Sequence, residues 1–298
     1  MAAGRPARLA VGVVSAGRVG AVLGASLAAA GHRVVATSGV SRASAQRAAA
    51  LLPGVPLEAP DEVVAQADLA LLAVPDDALA GLVRGLAAAG AFRAGQIVVH
   101  TSGAHGVALL DPAAERGVLP LALHPVMTFT GRTEDVARLA GASVGVTAAA
   151  GDEAAWSVGE ALVVEMGAEP VRVPEELRPL YHAALAHGAN HLVTLVRDCV
   201  QLLHDAGIGP AERLVAPLLS AALDNALRHG DRALTGPVAR GDAGTLAVHL
   251  RVLHDADPDL AATYRAMAVR TAHRAADSGL LPDHAVRDVL AALEDHHP

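Results

Sequence analysis

Short continuous apolar runs alternate with longer stretches in which apolar residues recur every three or four positions over residues 1–174. The short runs are typical of strands buried in a parallel sheet, and the longer stretches are typical of amphipathic helices. The predicted strands are Ala7–Val14, Arg33–Ala36, Asp68–Val74, Gln96–Thr101, Val118–Leu123, Ala142–Thr147 and Pro170–Val173. This alternation predicts an α/β domain with a doubly wound, mostly parallel sheet.

The strand pattern ends at the charged, proline-bounded segment Pro174–Pro179. Beyond it the apolar residues follow a helical period, with breaks at glycine and proline. The predicted helices are Leu180–Ala206, Glu212–Arg228, Ala243–His254, Pro258–Ser278 and Asp283–Glu294. We therefore expect an α/β domain over residues 1–174 and an all-helical domain over residues 175–298.

The turn after the first strand carries a modified glycine motif. It consists of Ser15, Ala16, Gly17, Arg18, Val19 and Gly20, followed by a helix and the second strand. The dinucleotide fingerprint G-x-G-x-x-G occupies this position in Rossmann-type domains, where the helix N-terminus receives a pyrophosphate. Ser15 replaces the first glycine and must make the tight turn with a side chain. We expect all six residues to contact a dinucleotide.

The end of the second strand bears on which dinucleotide is bound. NAD-selective domains carry an acidic residue there, whereas this chain has hydroxyls and a cation at Ser38, Ser41 and Arg42. These groups suit a 2′-phosphate and predict NADP(H), although Arg42 also fits the start of a solvated helix. Further cofactor contacts are expected where the next strands end, at Val74, Pro75, Thr101 and Ser102.

Composition narrows the chemistry. The net charge of −8 argues against nucleic-acid binding, and no apolar run reaches the length of a membrane span. The single cysteine and the absence of a recognisable signal peptide predict a cytoplasmic protein. The chain contains no lysine, so histidine is the default group for proton transfer near neutral pH.

Several segments resemble a superfamily of NADP-dependent reductases. They are the glycine turn, the LLAVPDDAL segment, Leu123–Phe129, Tyr181–Leu195 and Leu234–Leu250. The chain is similar to reductases with a 6-phosphogluconate-dehydrogenase-type C-terminal domain, among them pyrroline-5-carboxylate reductase, ketopantoate reductase and prephenate dehydrogenase. It most resembles a bacterial family that joins a Rossmann-like domain to a C-terminal domain of unknown function. The resemblance implies an NADP-dependent oxidoreductase that pairs into a homodimer through its helical domain.

The candidate catalytic residues are His182, Asn190 and His124. His182 and Asn190 share a face of the first long helix of the second domain, and His124 follows a strand. A histidine can donate the proton that carbonyl or imine reduction needs, and an asparagine can hold the substrate by a hydrogen bond. We expect hydride transfer to a small carboxylate-bearing carbonyl or imine in an interdomain cleft.

A second polar segment, around Thr235 and Arg240, is a candidate for binding the substrate carboxylate, since arginine binds carboxylates with two hydrogen bonds. Asp242 in the same segment is predicted to cap the following helix. His187 and His191 have i, i+4 spacing, but no third ligand accompanies them in a recognisable pattern, so no metal site is expected.

Two other functions fit the same residues. One is a non-catalytic NADP-binding protein with a regulatory or partner-binding role, which the replacement of glycine by Ser15 and the absence of lysine both favour. The other is a prephenate-type dehydrogenase that works in the oxidative direction.

Overall fold

The computed structural model describes residues 8–294, and its α/β part is built on one seven-stranded sheet. The strands are β1 (Ala10–Val14), β2 (Arg33–Thr37), β3 (Leu69–Leu72), β4 (Ile97–His100), β5 (Leu119–Pro125), β6 (Ser143–Thr147) and β7 (Glu169–Arg172). Their order is β2-β1-β3-β4-β5-β6-β7, and every pair is parallel except β5–β6. The predicted fold class is confirmed; β1 is shorter than predicted, and Ala7 lies outside the described residues.

Helices cover both faces of this sheet. They are α1 (Arg18–Ala29), α2 (Arg42–Leu51), α3 (Pro60–Ala65), α4 (Asp76–Ala88), α5 (Asp111–Ala114), α6 (Glu134–Leu139) and α7 (Glu153–Glu165), with 3₁₀ turns at Val107–Leu110 and Glu175–Leu177. Side chains alternate between the faces of a strand. Leu69 and Leu71 therefore pack in the cluster that contains α1 and α7 side chains, whereas Ala70 and Leu72 pack with α4.

The long helix α8 (Arg178–Asp205) contains the division between two compact units, one ending at Asn190 and the other beginning at His191. The end of the strand pattern predicts a domain boundary between residues 174 and 175. The difference has a physical reason, because the first turn of α8 is anchored in the sheet by the side chain of Arg178, which is fully buried. The start of the helical region and the end of the first compact unit are therefore different positions.

The second unit is helical throughout its described residues. After α8 come α9 (Ala211–His229), a 3₁₀ turn (Gly230–Ala233), α10 (Gly236–Arg240), α11 (Ala243–Ala256), α12 (Pro258–Asp277) and α13 (Asp283–Glu294). Its main core joins apolar side chains of α11, α12 and α13, including Leu246, Ala272 and Leu293. The short α10 was not predicted. Asp242 caps α11 as predicted, accepting a 3.0 Å hydrogen bond from the Thr245 amide.

Over residues 8–294, none of the helices combines the length and the apolar character that crossing a bilayer requires.

Candidate active site

The glycine turn adopts the conformation that its motif requires, although serine occupies the first position. Ser15 has φ +78°, in the left-handed region that glycine normally supplies. Its backbone N–H donates to Ser38 Oγ at 2.9 Å, and the Ala16 N–H donates to the Ser38 carbonyl at 2.6 Å. These bonds hold the turn against a conformational cost of about 1–2 kcal/mol for a non-glycine residue.

The two remaining glycines of the turn have different roles. A Cβ at Gly20 would lie 2.9 Å from Ala73 Cβ and would overlap the Ser15 carbonyl, so Gly20 lets α1 approach the sheet. A Cβ at Gly17 would meet Ser15 Oγ at 3.3 Å, which the hydroxyl can accommodate. Gly17 also lines the cleft described below, so the absence of a side chain there leaves room at the start of α1.

The turn opens onto a cleft of about 490 Å³ at the carboxyl ends of the central strands. Its lining consists of Ser15, Gly17, Arg18, Val19, Arg47, Ala73, Val74, Pro75, Asp76, Thr101, Ser102, Gly103, His124, Pro125, Met127, Phe129 and His182. Open α/β sheets bind ligands at this edge. All of these residues belong to the first compact unit.

One end of the cleft suits an anion. Helix α1 begins after Gly17 with no side-chain cap and no acidic residue in its first turn, so its terminal N–H groups are available to a ligand. Arg18 and Arg47 line the same end, and Arg47 Nε donates to the Ala16 carbonyl at 3.2 Å. The free amides, the Arg18 guanidinium and a glycine at the point of approach fit a dinucleotide pyrophosphate, and the Arg47 guanidinium is a second cation beside them.

The predicted cofactor residues divide into two sets. Those that line the cleft are Ser15, Gly17, Arg18, Val19, Val74, Pro75, Thr101 and Ser102. Those that do not line it are Ala16, Gly20, Ser38, Ser41 and Arg42. The hydroxyls in the second set have partners inside the fold, since Ser38 holds the glycine turn and Ser41 accepts from the Ser44 amide to cap α2. Arg42 is exposed at the first residue of α2.

Arg47 is a candidate cofactor residue that is absent from the predicted set. It lies on α2, the helix that follows the second strand, five residues beyond Arg42. A search for any arginine on that helix would have found it as a candidate, because helices of this position in a doubly wound sheet flank the nucleotide edge.

The other end of the cleft brings two predicted histidines together. The rings of His124 and His182 meet edge to face, with centroids 5.9 Å apart. Gly103 lies against both, because a Cβ there would be 2.5 Å from His182 Cδ2 and 2.8 Å from His124 Nε2. The His124 ring is held from the opposite side by a 2.8 Å hydrogen bond between Nδ1 and the Tyr181 hydroxyl. Gly145 makes room for that hydroxyl.

Burial sets the charge of His124. Loss of solvent, followed by the nearby charges of Arg178 and His182, lowers its pKa to about 4, against a smaller opposing effect of Asp76. Burial raises the pKa of the Tyr181 hydroxyl. At neutral pH His124 is therefore an uncharged imidazole, and Tyr181 keeps its proton.

Arg178 is the buried charge beneath this pair. Its Nε donates to Thr147 Oγ1 at 2.8 Å, and Nη1 donates to the Ser102 carbonyl at 2.8 Å. Nη2 donates to the carbonyls of Ala122 and Gly145 at 3.0 and 3.1 Å. These acceptors are all neutral, and within residues 8–294 the guanidinium forms no ion pair. The site therefore has a permanent positive charge at its base.

Three further predicted residues are not brought to the cleft lining. Asn190 follows His182 by eight residues on α8, which places it about 12 Å along the helix axis. Thr235 precedes α10 and lines a different cavity, within the second unit, together with Asn225 and Arg274. Arg240 is the last residue of α10. Among residues 8–294 no group of three or more His, Cys, Asp or Glu side chains is arranged to hold a metal ion.

The fold and the cleft define a Rossmann-type α/β domain followed by a helical domain. Residues 2–125 match the family model of the Rossmann-like domain, and residues 144–271 match that of a domain of unknown function, DUF2520. The chain belongs to the family that joins these two domains, as the resemblance implied. A search of curated proteins found no match.

Solved structures with the same fold extend over nearly the whole chain. A Bacteroides fragilis protein with the provisional name of an NADP oxidoreductase has a TM-score of 0.73 at 20% identity, covering 89% of this chain and 98% of its own. Protein TM1727 from Thermotoga maritima has a TM-score of 0.68 at 19% identity, covering 90% and 99%. A variant imine reductase from Myxococcus stipitatus in complex with NAD⁺ has a TM-score of 0.62 at 16% identity, covering 96% and 99%.

Proposed function

We propose that the protein is an NADP(H)-dependent oxidoreductase that reduces a small carbonyl or imine acid. The observation that carries this proposal is that an uncapped helix N-terminus and the His124–His182 pair line one cleft. Such a cleft could bind a dinucleotide at its anion-binding end and a substrate at its hydrogen-bonding end. The names of the structural neighbours, an NADP oxidoreductase and an imine reductase, point to the same class.

The roles of the residues follow from their positions. The α1 amides, Gly17 and Arg18 bind the pyrophosphate, and a bound nicotinamide supplies the hydride. His182 lines the cleft beside His124 and donates the proton. His124 is uncharged at neutral pH and contributes a hydrogen bond to the substrate.

Cofactor selectivity is assigned to arginines near the glycine turn. Arg47 lines the cleft, whereas Arg42 is exposed at the start of α2. We therefore expect Arg47 to contribute more than Arg42 to binding of the additional phosphate of NADP(H). The hydroxyls of Ser38 and Ser41 contribute indirectly, by shaping the turns in which they are bonded.

The remaining proposals concern one residue of α8 and two residues of the second unit. Arg240 and Thr235 are proposed to bind the substrate carboxylate, and Asn190 to hold its polar end. A homodimer through the helical unit is supported by apolar side chains on α9 that are exposed, including Leu214, Leu218 and Leu227. Sedimentation of the full chain tests this assembly.

The test of the function has two stages. Calorimetry measures the binding of NADPH and NADH to the full chain, and tighter binding of NADPH is expected. Oxidation of NADPH is then followed with a panel of 2-oxo acids and cyclic imino acids. Absence of binding by either nucleotide would refute the proposal. Binding without turnover across the panel would favour the non-catalytic alternative, which the strained Ser15 still supports.

A further inference from the structure

The chemistry of the two partners shows which of them is the donor in the hydrogen bond between Tyr181 and His124. The phenol is the more acidic partner, and within residues 8–294 its hydroxyl forms no hydrogen bond other than the one to His124 Nδ1. A tyrosine hydroxyl withdrawn from solvent usually finds a hydrogen-bond partner, and the partner of this half-buried hydroxyl is His124 Nδ1. Tyr181 therefore donates, Nδ1 accepts, and the proton of the neutral ring is on Nε2.

The Nε2 atom is on the cleft side of the ring. It is the His124 atom nearest to the space above Gly103, which itself lines the cleft. The ring is fixed from behind by Tyr181, whose own ring lies 5.8 Å from the Arg178 guanidinium carbon. Arg178 is immobilised by its four hydrogen bonds to neutral acceptors. The N–H bond of His124 is thus directed at a ligand by two residues that do not line the cleft.

We propose that Tyr181 and Arg178 are positioning residues that hold His124 as the neutral Nε2–H tautomer, and that this N–H selects a substrate with a free lone pair, a carbonyl oxygen rather than a protonated imine. This proposal rests on the proposed function and names its substrate class. An iminium nitrogen carries a proton and a positive charge, so it would face another donor and the buried charge of Arg178.

The charged groups around His124 support the same choice. Arg178 and His182 on α8 both disfavour a positive charge at this position. Asp76 opposes them from the start of α4, but it is exposed and its effect is the smallest of the three. A neutral acceptor therefore fits the inner end of the cleft better than a cation.

The chain offers a matched control. In the second unit, Tyr264 and His249 form the same arrangement, with a 2.9 Å bond between the hydroxyl and Nδ1 and ring centroids 5.8 Å apart. His249 and Tyr264 line a separate, mostly apolar cavity. Tyr264→Phe therefore removes an equivalent hydrogen bond without touching the cleft.

The first experiment needs neither cofactor nor substrate. Long-range ¹H–¹⁵N spectra of the full chain give the state of each histidine ring, and a His124→Gln variant identifies the His124 signals among the fifteen histidines. We expect the Nε2–H tautomer from pH 6 to pH 8, a mixture of tautomers in Tyr181→Phe, and no change in Tyr264→Phe. An Nδ1–H tautomer in the wild type, a ring protonated at pH 6, or an unchanged spectrum in Tyr181→Phe would overturn the proposal.

The second experiment separates this inference from the proposed function. With the oxo-acid and imino-acid panel, we expect turnover of a carbonyl acid, and a roughly tenfold or greater fall in kcat in Tyr181→Phe at unchanged NADPH affinity. Preferred turnover of a cyclic imine, at a rate that rises as the pH falls and the imine becomes protonated, would overturn the substrate class while leaving the reductase assignment intact. If the wild-type chain binds neither NADPH nor NADH, the reductase assignment is refuted, whereas the His124 tautomer measured in the first experiment is unaffected.

Discussion

Gly103→Ala is expected to disable the histidine end of the cleft while the chain still folds. The added Cβ would lie 2.5 Å from His182 Cδ2 and 2.8 Å from His124 Nε2. Heavy atoms in contact need about 3.5 Å, so at least one ring must move by about 1 Å. The backbone itself accepts alanine, because Gly103 is outside the left-handed region.

The size of the effect follows from this displacement. A shift of about 1 Å in a catalytic group costs on the order of 10²-fold in rate. Overpacking of this kind costs about 1–3 kcal/mol of stability, which lowers Tm by several degrees. Cofactor affinity is expected to change little, because the α1 N-terminus and Arg47 are at the other end of the cleft.

Three measurements on the full chain test this expectation. They are turnover with a carbonyl substrate, NADPH affinity by calorimetry, and the ring signals of His124 and His182 in ¹H–¹⁵N spectra. Gly85→Ala is the control, because a Cβ on that α4 residue meets nothing within 4 Å. Wild-type turnover together with unshifted ring signals in Gly103→Ala would show that the two rings do not depend on this glycine.

Four further predictions concern the two ends of the cleft and the pH. Gly17→Val should fold normally and lose NADPH binding in calorimetry, because the branched side chain fills the point of approach to α1. Arg47→Ala should narrow the difference between NADPH and NADH affinities more than Arg42→Ala does. His182→Ala should lower turnover about 10²–10⁴-fold at unchanged NADPH affinity. His100 is fully buried, and burial is the main reason that its pKa is lowered from 6.5 to about 4. Between these pH values the unfolded chain binds a proton that the folded chain does not. The free energy of unfolding in denaturant titrations should therefore be highest above pH 6.5 and fall by on the order of 3 kcal/mol towards pH 4.

Each of these four has an outcome that contradicts it. Normal nucleotide affinity in Gly17→Val would mean that the pyrophosphate is bound elsewhere. If Arg42→Ala narrows the difference between NADPH and NADH affinities more than Arg47→Ala does, the additional phosphate of NADP(H) is bound at the start of α2. Wild-type turnover in His182→Ala would mean that a group other than His182 donates the proton. For His100, the control is His100→Gln, which should flatten the pH dependence of stability; an unchanged slope would exclude this histidine as its source.

The order of apolar residues along the chain determined the architecture. Runs such as Leu69–Leu72 are buried on both faces, a pattern that is typical of parallel strands covered by helices. The tight turn of the glycine motif could also be predicted from the sequence, because backbone conformation depends on local sterics. The sequence required Ser15 to make the turn, and the structure shows it with a positive φ. Helix α7 has the predicted bounds, Glu153–Glu165.

Tertiary structure alone decided the electrostatics of the candidate site. His124 and Tyr181 are 57 residues apart, and Arg178 reaches the Ser102 carbonyl across 76 residues. No local pattern encodes such contacts, and burial, which makes His124 neutral, is a property of the packed environment and not of the residue type. Arg42 and Arg47 illustrate the same point, because both are arginines on one helix and only Arg47 lines the cleft. The sequence thus determined which elements form and where a nucleotide could bind, while the fold decided which side chains meet there and in what protonation state.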